Sequence, residues 1–184
     1  MSLRVISGIA KGRKLKDVPG NITRPVTDMV KEALFNILAG DVQGSIWWDL
    51  FGGTGAVGIE ALSRGAAFVR FSESNRLPFE TIKANLETTG FISQAEIRRG
   101  DAFAMLSTAP NRAFDYIYIA PPQYKEMWSK ALASLDANSG WLSDEIEVIV
   151  QIHPREYVNL TLNNLEEFEQ RKYGSTLLVF YKKK

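Results

Sequence analysis

Ten consecutive residues, Asp49-Leu50-Phe51-Gly52-Gly53-Thr54-Gly55-Ala56-Val57-Gly58, set an acid and a glycine-rich turn between an apolar strand and a helix. A nucleotide-like cofactor sits at such a turn, because glycine lets the backbone approach it and the helix start offers free amides. Read as Gly53-x-Gly55-x-x-Gly58, the turn also satisfies the dinucleotide fingerprint, so the pattern alone leaves the cofactor open. Asp49 can accept hydrogen bonds in the same pocket. Glu73, followed by Ser74, stands 20 residues after Gly53, where an acid takes a ribose diol through two hydrogen bonds, the alternative being an exposed loop carboxylate. Gly100-Asp101-Ala102 offers a further acid, suited to an exocyclic amine of adenine and equally to capping a helix.

The run Tyr116-Ile117-Tyr118-Ile119-Ala120-Pro121-Pro122-Gln123-Tyr124 contains two prolines that stiffen the chain and remove two donors, leaving carbonyl oxygens to accept. A dehydrogenase has no use for so donor-poor a loop, whereas an enzyme acting on an exocyclic amine needs acceptors for the amine hydrogens. Tyr124 offers a ring on which a flipped base could stack, a contact worth about 1–3 kcal/mol, unless it packs in the core. His153, the single histidine, follows the fifth strand, where it either lines the pocket or is structural.

Basic charge gathers in the first 24 residues, where Arg4, Lys11, Arg13, Lys14, Lys16 and Arg24 face only Asp17. Lys and Arg so clustered release counterions from a nucleic-acid backbone, although a solvated edge has the same composition. The 184 residues, 45% apolar and 23% charged, suit one globular domain. With no apolar run of membrane-spanning length and no signal peptide, a cytoplasmic protein is expected. Zero cysteines exclude disulfides and thiolate chemistry, and one histidine leaves little for a metal site, so no metal is expected.

These residues need a frame, and the chain alternates strand-like and helix-like segments to build one. Residues 3–17 read as a small hairpin or extended arm, an appendage to the rest. Thr27 and Asp28 open an amphipathic helix ending near Gly40, with Val30, Ala33, Leu34, Ile37 and Leu38 on its apolar face and Lys31 and Glu32 opposite. Strands at Ile46–Phe51, Phe68–Ser72, Ala95–Arg99 and Phe114–Ile119 alternate with helices at 55–64, 76–88, 102–107 and 124–135, and Glu147–Gln151 adds a fifth strand. Such βα repeats imply a parallel sheet covered by helices. Leu165–Tyr173 and Gly174–Tyr181 meet at a tight turn with no room for a crossover helix, so an antiparallel hairpin closes the sheet. The expected fold is α/β: a Rossmann-like, seven-stranded mixed sheet with a small N-terminal β-hairpin arm, whose antiparallel C-terminal hairpin is similar to the ending found in class I methyltransferases. Residues 1–24 form the arm and 25–184 the methyltransferase domain.

Arg4-Val5-Ile6-Ser7-Gly8, Gly12-Arg13-Lys14-Leu15, Arg24-Pro25-Val26-Thr27-Asp28, Lys31-Glu32-Ala33-Leu34-Phe35-Asn36, the Asp49-to-Gly58 turn and Glu60-Ala61-Leu62-Ser63-Arg64-Gly65-Ala66 together closely resemble the RsmD family. Its members use S-adenosylmethionine to methylate the N2 amine of one guanine in small-subunit ribosomal RNA. The resemblance implies that Asp49, Phe51, Gly52, Gly53, Thr54 and Gly55 cradle the methionine part of the cofactor. It implies that Glu73 and Ser74 hold the ribose, and Asp101 and Ala102 the adenine. Arg4, Lys11, Arg13 and Lys14 would lie on RNA, with Arg24, Thr27 and Asp28 between arm and active site. The implied substrate is ribosomal RNA in a partly or fully assembled 30S particle, and a monomer is expected.

The chain departs from the family in the catalytic loop, where Ala120-Pro121-Pro122-Gln123-Tyr124 replaces the usual Asp-Pro-Pro-Tyr or Asp-Pro-Pro-Phe. The missing acid normally accepts from the guanine amine, and losing one such interaction costs about 10²- to 10³-fold when nothing replaces it. Either the carbonyls near Ala120 and Pro121 and the Gln123 side chain take over, or the protein is an RNA-binding assembly factor of weak activity. A NAD-dependent oxidoreductase is the alternative that the glycine pattern itself allows.

Overall fold

The computed structural model of the chain describes residues 2–20 and 26–184 and falls into two units, Met1–Gly100 and Asp101–Lys184. Arg24, one of the expected RNA contacts, lies outside the described residues, as does the expected boundary at 24/25.

The first unit runs α1 (Asp28–Leu38), β1 (Ile46–Asp49), α2 (Ala56–Ser63), β2 (Phe68–Glu73), α3 (Arg76–Thr89) and β3 (Ala95–Arg99). Its strands are parallel, with Asp49 beside Phe71 and Phe71 beside Ile97, so β2 runs on past the end of β1 to Glu73. Their core is Trp47, Trp48, Leu50, Ile59, Val69 and Phe71, a run too apolar to alternate because the strands are covered by helices.

The second unit runs α4 (Ala102–Leu106), β4 (Phe114–Ile119), α5 (Met127–Ala137), β5 (Leu142–Ile152), β6 (Leu165–Tyr173) and β7 (Thr176–Lys183). β4 and β5 are parallel, whereas β5 with β7 and β6 with β7 are antiparallel. The strand order is β3-β2-β1-β4-β5-β7-β6, the seven-stranded mixed sheet with a C-terminal hairpin that the sequence predicts. Gly174, at φ 60°, supplies the left-handed residue of the hairpin turn. Among the described residues no helix is long and apolar enough to cross a membrane.

Two boundaries differ from expectation by three residues or more, and the other differences are smaller. β5 begins at Leu142 rather than Glu147, because the polar Ser143-Asp144-Glu145 stretch enters the strand through a bulge opposite Phe114–Tyr116. The fifth helix begins at Met127 rather than 124, because Tyr124 and Glu126 adopt left-handed φ values of 61° and 54°, which no helix accommodates.

The N-terminal arm is bonded into the first unit rather than appended to it. Val5 and Gly12 amides donate to the carbonyls of Arg13 and Val5, both at 2.9 Å, and Arg4 bridges Lys14 antiparallel. Val5, Ala10, Leu15 and Val18 are buried beneath it. Gly8, at φ 88°, lies so close to the end of α2 that a Cβ would stand 1.9 Å from the Ser63 carbonyl oxygen. The amides of Ile6 and Ser7 donate to the two carboxylate oxygens of Glu60, at 2.8 and 3.0 Å. Glu60 also pairs with Lys31 at 3.5 Å and Arg64 at 2.8 Å, while Lys31 donates to the Arg4 carbonyl at 2.6 Å.

Lys31 therefore sits fully buried instead of on the solvent face of α1, whereas its neighbour Glu32 is exposed as expected. Burial pushes its ammonium pKa down, and the Glu60 charge opposes that shift. Glu60 and the Arg4 carbonyl stand where water would otherwise solvate its ammonium. Removing one partner would strand a buried charge at a cost of about 3–5 kcal/mol.

Candidate functional site

At the end of β1 the chain turns through Gly53 and Gly55, whose φ values of 59° and 80° lie in the left-handed region. Gly52 donates to the Ser72 carbonyl at 2.8 Å, and a Cβ on it would meet the Ile82 side chain at 2.6 Å. The turn is thus pressed against β2 and α3. Gly58 has a separate reason to be glycine. A Cβ there would stand 2.3 Å from the Phe71 ring, so its absence lets α2 close on β2 whatever the turn binds.

Asp49 is buried, with Oδ2 accepting from the Gly58 amide at 3.3 Å and Oδ1 without a hydrogen-bond partner. Burial pushes its carboxyl well above the usual carboxylate range; the Gly58 amide opposes the shift and the nearby Glu73 charge adds to it. A buried acid with one idle oxygen is built for a cationic or hydrogen-rich ligand group. Glu73 closes the other side: Oε2 accepts from Gly53 N at 3.0 Å and Oε1 from Asn75 N at 3.1 Å. Each oxygen keeps a further lone pair for a ligand hydroxyl. Phe51 is half-buried and Ser74 exposed.

Thr54 is buried, its Oγ1 accepting from Ala56 N at 3.3 Å and its carbonyl from Asn85 Nδ2 at 2.9 Å. Asn85 is a site residue that sequence reasoning misses. Its carboxamide also accepts from Lys16 N at 2.7 Å and donates to Lys16 O at 3.0 Å. The available signal was a polar residue on an apolar face, three positions after buried Ile82.

In the second unit, Asp101 is exposed and caps α4, its Oδ1 accepting from Phe103 N at 3.1 Å, while Ala102 is buried. The loop after β4 leaves Ala120, Pro121 and Gln123 half-exposed and Pro122 and Tyr124 exposed. Tyr124 is 63% accessible, which disposes of the core-packing alternative. Its amide donates to Glu156 Oε1 at 2.8 Å, and its ring lies 5.8 Å from that of His153 at an interplanar angle of 40°. His153 caps the turn at Pro154–Glu156, its Nδ1 accepting from Arg155 N at 3.1 Å and its amide donating to Glu156 Oε2 at 2.9 Å. Glu156 is the second residue that the sequence did not single out.

On the arm, Lys11, Arg13 and Lys14 are exposed, and Arg13 also donates to the Thr88 carbonyl at 3.2 Å. Arg4 pairs with Asp28 at 3.3 Å, and Thr27 caps α1 by accepting from Val30 N at 3.3 Å. The structure thus gathers Asp49, the glycines and Glu73 into one bonded cluster of the first unit, which also carries the basic arm. Asp101, Ala102 and the Pro-Pro loop belong to the second unit.

Comparison with known proteins shows what the chain as a whole is similar to. The family described as conserved hypothetical protein 95 matches residues 3–182. The Bacillus subtilis protein YlbH is 41% identical over 99% of this chain and 100% of its own length. Ribosomal RNA small subunit methyltransferase D of Escherichia coli strain K12 is 34% identical over 81% of this chain and 74% of its own. Among solved structures, the Escherichia coli protein yhhF superposes with a TM-score of 0.88 at 29% identity, covering 100% of this chain and 99% of that one. The chain belongs to this family, the RsmD-type methyltransferases.

Proposed function

We propose that the protein transfers a methyl group from S-adenosylmethionine to the N2 amine of a guanine in small-subunit ribosomal RNA. It acts as a monomer, in the cytoplasm, on a partly or fully assembled 30S particle. The observation that carries the cofactor reading is Asp49, a buried carboxylate with an idle oxygen at the glycine turn. An amino-acid ammonium can donate to that oxygen, which the pyrophosphate of a dinucleotide, carrying only acceptors, cannot. Family membership sets the nicotinamide reading aside as well.

When bound, S-adenosylmethionine would supply a methyl group whose bond to sulfur breaks as the bond to N2 forms, the neutral thioether S-adenosylhomocysteine leaving and the amine giving up a proton to water. The remaining work is positioning by this chain's residues. Asp49 and the Gly52–Gly55 backbone hold the methionine part, Glu73 with Ser74 the ribose, and Asp101 with Ala102 the adenine. In the Pro121-Pro122 loop the missing N–H donors leave carbonyls of Ala120 and Pro121 as acceptors, and with the Gln123 side chain they orient the guanine amine in place of the absent acid. The exposed Tyr124 ring receives the base. Lys11, Arg13 and Lys14 contact phosphates and set the register of the RNA, as Arg4 does by exchanging Asp28 for a phosphate.

Incubation with methyl-labelled S-adenosylmethionine and small subunits lacking the modification tests the reading. Label recovered as N2-methylguanine supports it. Tight RNA binding with no label in any base favours the assembly-factor alternative that Ala120 raises.

A further inference from the structure

Tyr124 and Glu126 are non-glycine residues at positive φ, two positions apart in the loop that carries the exposed ring. Such a backbone persists only when its surroundings hold it, and clusters of this kind mark functional segments. The Tyr124 amide is held by Glu156 Oε1, at 2.8 Å. The other oxygen of the same carboxylate accepts from the His153 amide at 2.9 Å. One side chain therefore fixes the backbones of both members of the Tyr124–His153 ring pair, which stand 5.8 Å apart.

We infer that Glu156 is a positioning residue for methyl transfer, holding the Tyr124 ring against His153 so that its outer face is set before the base arrives. The inference rests on the proposed function. It also bears on how this chain works with Ala120 in the acid position. A carboxylate from the turn after β5 holds the loop backbone from outside, so the Ala120–Gln123 acceptors and the Tyr124 ring keep their places without a loop acid. Charge-assisted bonds to backbone amides are the strong members of their class, so a single carboxylate is sufficient to bias the loop.

The test uses the full chain with Glu156→Ala and Glu156→Gln, read by amide hydrogen exchange and by methyl transfer to undermodified small subunits. In Glu156→Ala, exchange at the Tyr124 and His153 amides should accelerate about tenfold or more, with the Gly52–Gly58 amides unchanged. Its kcat should fall about tenfold while cofactor Kd stays within twofold, and Glu156→Gln, which keeps one acceptor oxygen, should fall between. Because Glu156 acts through Tyr124, Glu156→Ala should lose its effect on kcat in a Tyr124→Ala background. Unchanged exchange at Tyr124, or an undiminished kcat loss in that background, overturns the inference. If the wild-type protein transfers no methyl group, the proposed function fails and the exchange arm alone decides whether Glu156 holds the loop.

Discussion

Asn85 donates to the Thr54 carbonyl at 2.9 Å from a fully buried position on α3. Because the same carboxamide pairs with both the amide and the carbonyl of Lys16, the basic arm and the glycine turn are fastened to one side chain. Arm and turn are therefore not independent parts of the first unit.

Replacing Asn85 with leucine should weaken cofactor and RNA binding together, since it leaves Lys16 and Thr54 backbone groups without partners. The stability loss should be about 1–3 kcal/mol. That corresponds to a Tm drop of roughly 2–12 °C for a chain of this size. Thermal melts and calorimetric titration with each ligand measure the three quantities, and a variant that loses RNA affinity while binding cofactor normally would break the link.

Asp49 predicts a pH signature. Its folded-state pKa is raised by burial, so the folded protein holds this proton more tightly than the unfolded chain does. The stabilisation is complete below the ordinary carboxylate pKa and is lost as pH rises through the raised folded value. Wild-type Tm minus that of Asp49→Asn should therefore decline with rising pH across that window and level off above it. Cofactor, whose ammonium compensates the ionised acid, should flatten the decline. Asp49→Asn should bind cofactor about tenfold or more weakly, the cost of losing a charge-assisted bond. A pH-independent difference in Tm would contradict the assignment of that buried charge.

Reversing charge at Arg13 and Lys14 separates the two ligands. Both side chains are exposed and the bond from Arg13 to Thr88 is peripheral, so stability and cofactor affinity should change little. RNA affinity should fall, and the slope of log K against log salt should shrink by about 2, one for each phosphate that the arm no longer neutralises. Filter binding over a salt series checks this, and an unchanged slope would take the arm off the RNA.

What the sequence determined by itself was everything written in local pattern. The βα alternation, the glycine turn, Glu73 at the end of β2, Asp101 as a cap and the C-terminal hairpin all follow from spacing and backbone preference over a few residues. The tertiary structure decided which polar side chains are buried. Lys31, Glu60 and Asn85 sit on helices, where a polar residue ordinarily reads as solvent-facing, and each is inside because a partner distant in sequence replaces its water. Glu156 differs in being only partly buried, yet its role too depends on an amide 32 residues away that spacing cannot predict. Gly58 shows the same division at one position: the pattern marks it as part of a nucleotide fingerprint, and packing against Phe71 gives the reason it must be glycine.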